Sequence, residues 1–367
     1  MAQECAIVGG GLAGFTTYVT LRGGGLATDE IAVFATDTDP AAEWRKRAAS
    51  IHQRYMRSES DGHCYPASFP GLAVRAAWRR RTLVPLVETI FDQYHPTVAE
   101  FLAHVEELRV RTGWDESLRL TRIEQVAALP DGFGLDGHGP FRHVLIAPGH
   151  PALAFPDGLD TDPRAVHAYQ PHRYAANVEI VGAGMAAATE WLNALAAGAE
   201  VTSVRRRDPE RRPLNLPRWL FTRRGLRDFH RTDPPDRVDL LRRWSAPSYP
   251  SGPWWDEPLE RAAREGRFRV AGELNGADQI ICATGFRRGF RHDRLLARLV
   301  VEHEVETAED WIVLAPDSTV PALTDDTRML ALAGVPAQWA FPAADTLMGA
   351  KYAARRFLRR IQRCRSR

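Results

Sequence analysis

Short runs of consecutive apolar residues, two of them closed at once by glycine, set the rhythm of this chain. Residues 4–8 (Glu-Cys-Ala-Ile-Val) form one such run, glycines follow at once, and from Leu12 the sequence is helix-compatible. Strand, tight turn and helix are the natural reading of that stretch. Residues 31–34 are the second buried run, at the separation that a β-α-β unit needs. Residues 40–110 read mostly as helix, with interruptions at Pro66, Pro70 and Pro85. Residues 143–147 are another strand, closed by Pro148-Gly149-His150-Pro151, and the Pro- and Asp-rich residues 151–173 read as a linker.

The pattern then restarts. Residues 178–181 are an apolar strand, Gly182-Ala183-Gly184 turns into a helix over 185–196, and 201–204 is the next strand. Residues 205–265, rich in Arg, Pro and Trp, read as an insertion with loops and short helices of its own. Another strand covers 278–283, and 344–363 is a terminal helix with Ala, Leu and Phe on one side and Arg on the other. Two β-α-β halves, beginning near 4 and 178, predict an α/β chain with two Rossmann-like dinucleotide-binding domains. The first is split in sequence, 1–165 and 286–367. The second, 166–285, is inserted into it and carries the 205–265 segment.

Composition narrows the class. The chain has 367 residues, 44% hydrophobic and 26% charged, an ordinary globular profile that excludes disordered, collagen-like and disulfide-stapled proteins. No apolar run approaches the roughly 18 residues of a membrane span, and the N-terminus lacks the basic start of a signal peptide. Cys5, Cys64, Cys282 and Cys364 show no C-x-x-C spacing, so neither zinc nor a redox disulfide is expected, and a reducing cytoplasm fits best. A net charge of +2 argues against nucleic acid as a bulk partner. Lys46 and Lys351 are the only lysines, so nearly all positive charge is arginine. Runs such as Arg79-Arg80-Arg81 usually mark solvated faces.

Two motifs carry the chemistry. Gly9-Gly10-Gly11-Leu12-Ala13-Gly14 is a G-x-G-x-x-G that follows a strand and opens a helix. There Gly9 makes the tight turn, Gly11 lets backbone approach a pyrophosphate, Gly14 lets helix and sheet pack closely, and the helix N-terminus offers N–H donors. Gly182-Ala183-Gly184-Met185-Ala186-Ala187 is the G-x-G-x-x-A variant, with Gly182, Gly184 and Ala187 in the equivalent places. After its second strand stands Arg205-Arg206-Arg207 instead of an acid, and Arg205 and Arg206 suit a 2′-phosphate, which favours NADPH over NADH. After the second strand of the first half the nearest carboxylate for a ribose is Asp37, with Asp39 in reserve.

Paired nucleotide turns, the first at the extreme N-terminus, resemble the two-dinucleotide-binding-domain flavoproteins. The connecting segments resemble class B flavin monooxygenases, the flavin-containing and N-hydroxylating enzymes. Ala147-Pro148-Gly149-His150-Pro151 is similar to their A-T-G-x-P turn, His167-Ala168-Tyr169 to the H-S-x-x-[YF] linker, and Cys282-Ala283-Thr284-Gly285-Phe286 to the A-T-G-[YF] return. Departures are Pro148 for the Thr, Met185-Ala186 for the common Q-S pair, and an unmet F-x-G-x-x-x-H spacing. The resemblance spans the framework of nearly the whole chain except 205–265.

That resemblance implies FAD in the first domain and NADPH in the second. It also implies a C4a-hydroperoxide of the reduced flavin that gives one oxygen to a small nucleophile, an amine or thioether. It places Gly149, Thr284 and Gly285 in the cofactor framework, and Trp44 and Arg45 near the FAD adenosine and pyrophosphate. Gly334 to Gln338 stand where relatives bring a helix N-terminus to the flavin. Arg57 to His63 are the flavin-facing segment, in which Asp61 or His63 would orient flavin or substrate and Arg57 contact phosphate, or they form a solvated capping loop. Tyr249, Trp254 and Trp255 would line a substrate pocket or a partner surface. Small-molecule substrate and dioxygen are the expected partners, with no nucleic acid and no membrane, and a homo-oligomer left open. The alternatives are a flavin/NAD(P)H oxidoreductase that never activates oxygen and a redox-demoted FAD-binding protein. Cys282, in a buried strand, reads as core.

Overall fold

The computed structural model of the chain describes residues 3–56, 72–90, 94–212 and 216–366. Two five-stranded, all-parallel sheets organise them. In the first the order is Met329–Leu332, His143–Ile146, Cys5–Val8, Ile31–Ala35, Leu118–Leu120. In the second it is Phe268–Ala271, Glu200–Val204, Asn177–Val181, Gln279–Cys282, Ala165–His167. Cys5–Val8 and Met329–Leu332 are buried at every position, as the runs without alternation require of strands covered on both faces.

The two sheets repeat one plan. Cys5–Val8 and Asn177–Val181 are the central strands, each followed by a helix, Leu12–Gly23 and Met185–Ala196. One edge strand of each sheet flanks the second repeat: Ala165–His167 precedes it and belongs to the second sheet, and Met329–Leu332 follows it and returns to the first. The strand at 165–167 lies inside the segment read from sequence as plain linker. Three residues ending in His167 give too short a run to show periodicity, and they are held by pairing with Gln279–Cys282. An antiparallel meander, Val126–Leu129, Gly132–Leu135 and His138–Phe141, caps the first sheet and buries Phe133 and Phe141 with Phe34.

The stretch 40–110 resolves into Ala42–Ser50, Leu72–Arg80, Val84–Ile90 and Val98–Thr112. The last of these is bounded by a capping box, in which Thr97 and Glu100 bond reciprocally, and by Gly113 in the left-handed conformation. The segment 205–265 divides its packing. Arg223–Arg231 and Pro234–Trp244 bury Phe229, Val238 and Leu241 in the core of the first sheet, whereas Pro253–Arg264 buries Leu259 and Ala262 with the second. The terminal helix Leu347–Arg365, capped by Thr346, packs along Leu12–Gly23. Among the described residues no helix is long and apolar enough to cross a membrane.

Candidate active site

A cavity of about 960 Å³ opens at the carboxyl ends of the first sheet. Ligands in open α/β sheets bind at those ends. Its floor is the first glycine turn, Val8 to Ala13. Gly9 donates its N–H to the Phe34 carbonyl at 2.9 Å, and a Cβ on it would stand 2.1 Å from the Ala147 carbonyl oxygen. Nothing lies within 4 Å of the place where a Cβ on Gly11 would sit. Gly11 is also the N-cap of Leu12–Gly23 and supplies no side-chain cap, so the first helical N–H groups face the cavity without a protein acceptor there. Gly14 is away from the lining; its Cβ would strike the Gly9 carbonyl at 1.9 Å, so it packs helix on turn.

The second glycine turn has the same geometry. Gly182 donates to the Val204 carbonyl at 3.1 Å, and its Cβ would meet the Ala283 carbonyl oxygen at 2.5 Å. Gly184 caps Met185–Ala196 with nothing within 4 Å of its missing side chain, and Ala187 is buried beneath it. Neither this turn nor Arg205 and Arg206 line the 960 Å³ cavity. Arg205 pairs with Asp208 at 2.9 Å and lies over the Trp191 ring, while Arg206 is exposed.

Several residues singled out from sequence do line the first cavity: Gly9, Gly11, Asp37, Trp44, Gly149 and Gly334. Asp37 is held by the Asp39 N–H at 3.0 Å. Asp39, the reserve carboxylate, lines the cavity too, accepting from the Ala41 N–H at 2.8 Å and pairing with Arg45 at 3.0 Å. Arg45 itself is not in the lining. Arg47 takes the place instead, because Trp44 and Arg47 share a helix face and Arg45 does not. Thr284 and Gly285 are a clasp outside the cavity: the Thr284 hydroxyl donates to the Ala154 carbonyl, and the Gly285 carbonyl accepts from the Ala154 N–H at 3.0 Å. Gln338 is buried just behind the lining, accepting from Arg288 at 3.3 Å. Arg57, Asp61 and His63 lie outside the described residues. Tyr249 is buried against Trp191 and Trp255, whereas Trp254 is 60% exposed and stands edge-on to Tyr55; none of Tyr249, Trp254 and Trp255 lines the cavity.

Sequence reading did not single out Arg47, His150, Asp345 or Lys351 as site groups, and all four line the cavity. Only the spacing of Arg47 from Trp44 could have drawn attention to it. The His150 ring stacks on Phe286 at 4.0 Å, Phe286 stacks on Tyr169 at 5.0 Å, and the Arg47 guanidinium lies 4.4 Å from the Phe286 centroid. Burial, reinforced by Arg47 and Arg288, pushes the His150 pKa down to about 3, so the ring is neutral. Its Nδ1 is enclosed and has no hydrogen-bond partner. An enclosed polar atom left so costs about 1–3 kcal/mol. Burial raises the Asp345 carboxyl above the usual range against the pull of Arg288, 3.7 Å away. Cys282 is buried in its strand, its thiol pushed up to about 11, and is inert core.

Two parallel sheets, each with a glycine turn feeding a helix, define the class of fold: a protein built from two Rossmann-type domains, one interrupted in sequence by the other. Solved structures give that fold a more particular likeness. The chain superposes on an ornithine N-hydroxylase of Kutzneria sp. 744 with a TM-score of 0.72 at 16% identity, covering 100% of both chains. It superposes on an FAD-bound cadaverine monooxygenase of Erwinia amylovora with a TM-score of 0.73 at 12% identity, over 98% of this chain and 94% of that one. An ornithine hydroxylase of Pseudomonas aeruginosa gives 0.69 at 16%, over 98% and 100%. No family model and no curated protein matches the sequence. The fold is thus that of the N-hydroxylating flavin monooxygenases.

Proposed function

We propose that this chain is an FAD- and NADPH-dependent monooxygenase that passes one atom of dioxygen to a small amine, the other leaving as water. The observation that carries this reading is the cavity above the first glycine turn, where a bare Gly11 and an uncapped helix start leave space and N–H donors for a pyrophosphate. At about 960 Å³ it is at the upper end of the range for cofactor sites.

FAD fits these residues. Gly9 to Ala13 would cradle its pyrophosphate, Asp37 would take the adenosine ribose, and Trp44 and Arg47 would border the adenosine side. Gly149, His150, Gly334 and the start of Leu347–Arg365 would border the flavin side. The positive end of that helix favours a negatively charged reduced ring. Arg57, with Asp61 and His63, stays a proposed contact. NADPH is assigned to the turn at Gly182 to Ala187, with Arg206 as the exposed guanidinium for its 2′-phosphate and Arg205 beside it. Bound FAD, once reduced by NADPH, supplies the centre at which dioxygen is activated.

An amine attacks as a nucleophile only after losing its proton. Asp345, a lining carboxylate whose pKa burial raises, is placed to accept that proton. Neighbours named as an ornithine N-hydroxylase and a cadaverine monooxygenase support amine over thioether. The test is to incubate the protein with FAD, NADPH, air and a panel of ornithine, lysine and cadaverine. Hydroxylamine formed in step with NADPH consumption is expected for one member. NADPH oxidation that yields only peroxide with every amine would contradict the amine assignment.

A further inference from the structure

Resting on the amine reading above, we infer that Phe221 determines specificity by taking the carbon chain of the substrate, an amine carried on an unbranched apolar chain without a carboxylate. Phe221 ends the short helical turn Arg218–Phe221, in the segment 205–265 that runs between strands of the second sheet, yet it lines the cavity of the first. Three contacts tie that segment to the loop ahead of the terminal helix. The His230 Nε2–H donates to the Ala340 carbonyl at 2.6 Å, and the Arg237 guanidinium lies 4.7 Å from the Trp339 centroid. The Phe221 ring stands edge-on to Phe341, with 6.1 Å between centroids. Asp345 follows Phe341 in the same loop, so the ring is held by the segment that carries the proton acceptor.

The lining on either side of Asp345 is hydrocarbon. Ala344, Leu347 and Met348 border the cavity with it, and the half-buried ring of Phe221 keeps apolar surface that a carbon chain would cover. Arg288, the guanidinium paired with Asp345, is poorly placed to hold a substrate carboxylate. Both hydrogens on its Nη1 are committed, to Ser245 Oγ at 2.9 Å and Gln338 Oε1 at 3.3 Å, and its Nη2 stands 3.7 Å from Asp345. It is also outside the lining, so it presents no open fork to a second acid. An apolar wall beside a proton acceptor recognises an amine by its hydrocarbon part.

The full-length, FAD-loaded protein is assayed for hydroxylamine with n-butylamine, n-pentylamine and n-hexylamine, and with lysine and cadaverine, which differ only by the carboxylate. In the wild type kcat/KM should rise about fourfold with each added CH2, equivalent to about 0.8 kcal/mol. Cadaverine should exceed lysine about tenfold, because a carboxylate taken out of water without a partner is costly. Phe221→Ala should level the chain-length series, whereas Phe221→Leu, still apolar, should keep most of its slope. Both variants should bind FAD as the wild type does. A series as steep in Phe221→Ala as in the wild type would overturn the inference. So would a loss of FAD affinity in that variant, which would set the ring against the cofactor. Lysine equal to or better than cadaverine would overturn the substrate class, with a lining cation such as Lys351 taking the carboxylate. A wild-type protein that makes hydroxylamine from none of the five would overturn the amine reading itself, a result distinct from these.

Discussion

Gly11 and Gly14 stand three residues apart and are glycine for different reasons. Gly11 has open space where a side chain would go, whereas Gly14 presses on the Gly9 carbonyl. Gly11→Val should therefore leave the thermal midpoint of the flavin-free protein nearly unchanged and weaken FAD at least a hundredfold. Gly14→Ala should cost about 1–3 kcal/mol of stability through overpacking. Calorimetry and flavin titration on the two variants check this, and equal effects would mean that the turn binds nothing. Asp345→Asn should lower kcat/KM for the amine substrate about 10²-fold at neutral pH and recover as rising pH deprotonates the amine in solution. A uniform loss across pH would deny Asp345 the proton. Replacing Arg205 and Arg206 by Ala should raise the KM for NADPH far more than that for NADH, and parallel changes would remove the selectivity argument. At this scale the glycines were legible in the sequence, since spacing alone sets their place. Arg47, His150 and Asp345 were not, because only the folded chain brings the ends of three separate segments to one cavity.

Between elements, the segment joining the two halves is tied to the helix Met185–Ala196 by a buried cluster. Glu190 accepts from the Tyr174 hydroxyl at 3.0 Å and meets His172 Nε2 at 3.0 Å, with both His172 and Glu190 side chains almost fully enclosed. Burial works against a charged His172, but its hydrogen bonds to Glu190 and to the Gln170 carbonyl outweigh it, and its pKa stands above the ordinary value. A raised histidine pKa gives stability that is fully present below the unfolded value near 6.5 and is lost as pH climbs through the folded one. Hydrogen exchange of this helix should accordingly quicken above neutral pH, and His172→Gln should flatten that dependence. An unaltered pH dependence in the variant would exclude the cluster as its source. The helix itself was plain from periodicity. The cluster was hidden, because residues 172 and 174 lie in a segment with no repeat to read.

Across the whole molecule, the two half-folds were legible because each glycine turn repeats the same run of strand, turn and helix. The strand Ala165–His167, the meander from Val126 and the divided packing of 205–265 were not, since tertiary contact rather than local pattern fixes them. Among the described residues five histidines, His230 included, have a pKa that burial lowers, and they make the ensemble acid-sensitive. Burial lowers His104, His143 and His167 to about 4 and His150 to about 3. The unfolded chain takes up those protons first, so the stability they confer is present above pH about 6.5 and is lost as pH falls toward 4. Urea midpoints should drop steeply over that interval, and a flat profile would contradict the buried, neutral rings.

The visible spectrum of the FAD-loaded protein, followed in air as NADPH is added, tests the central claim most directly. The account predicts flavin bands that bleach on addition of NADPH and return as oxygen is consumed. A protein that FAD does not colour, or bound flavin that NADPH leaves oxidised, would contradict it.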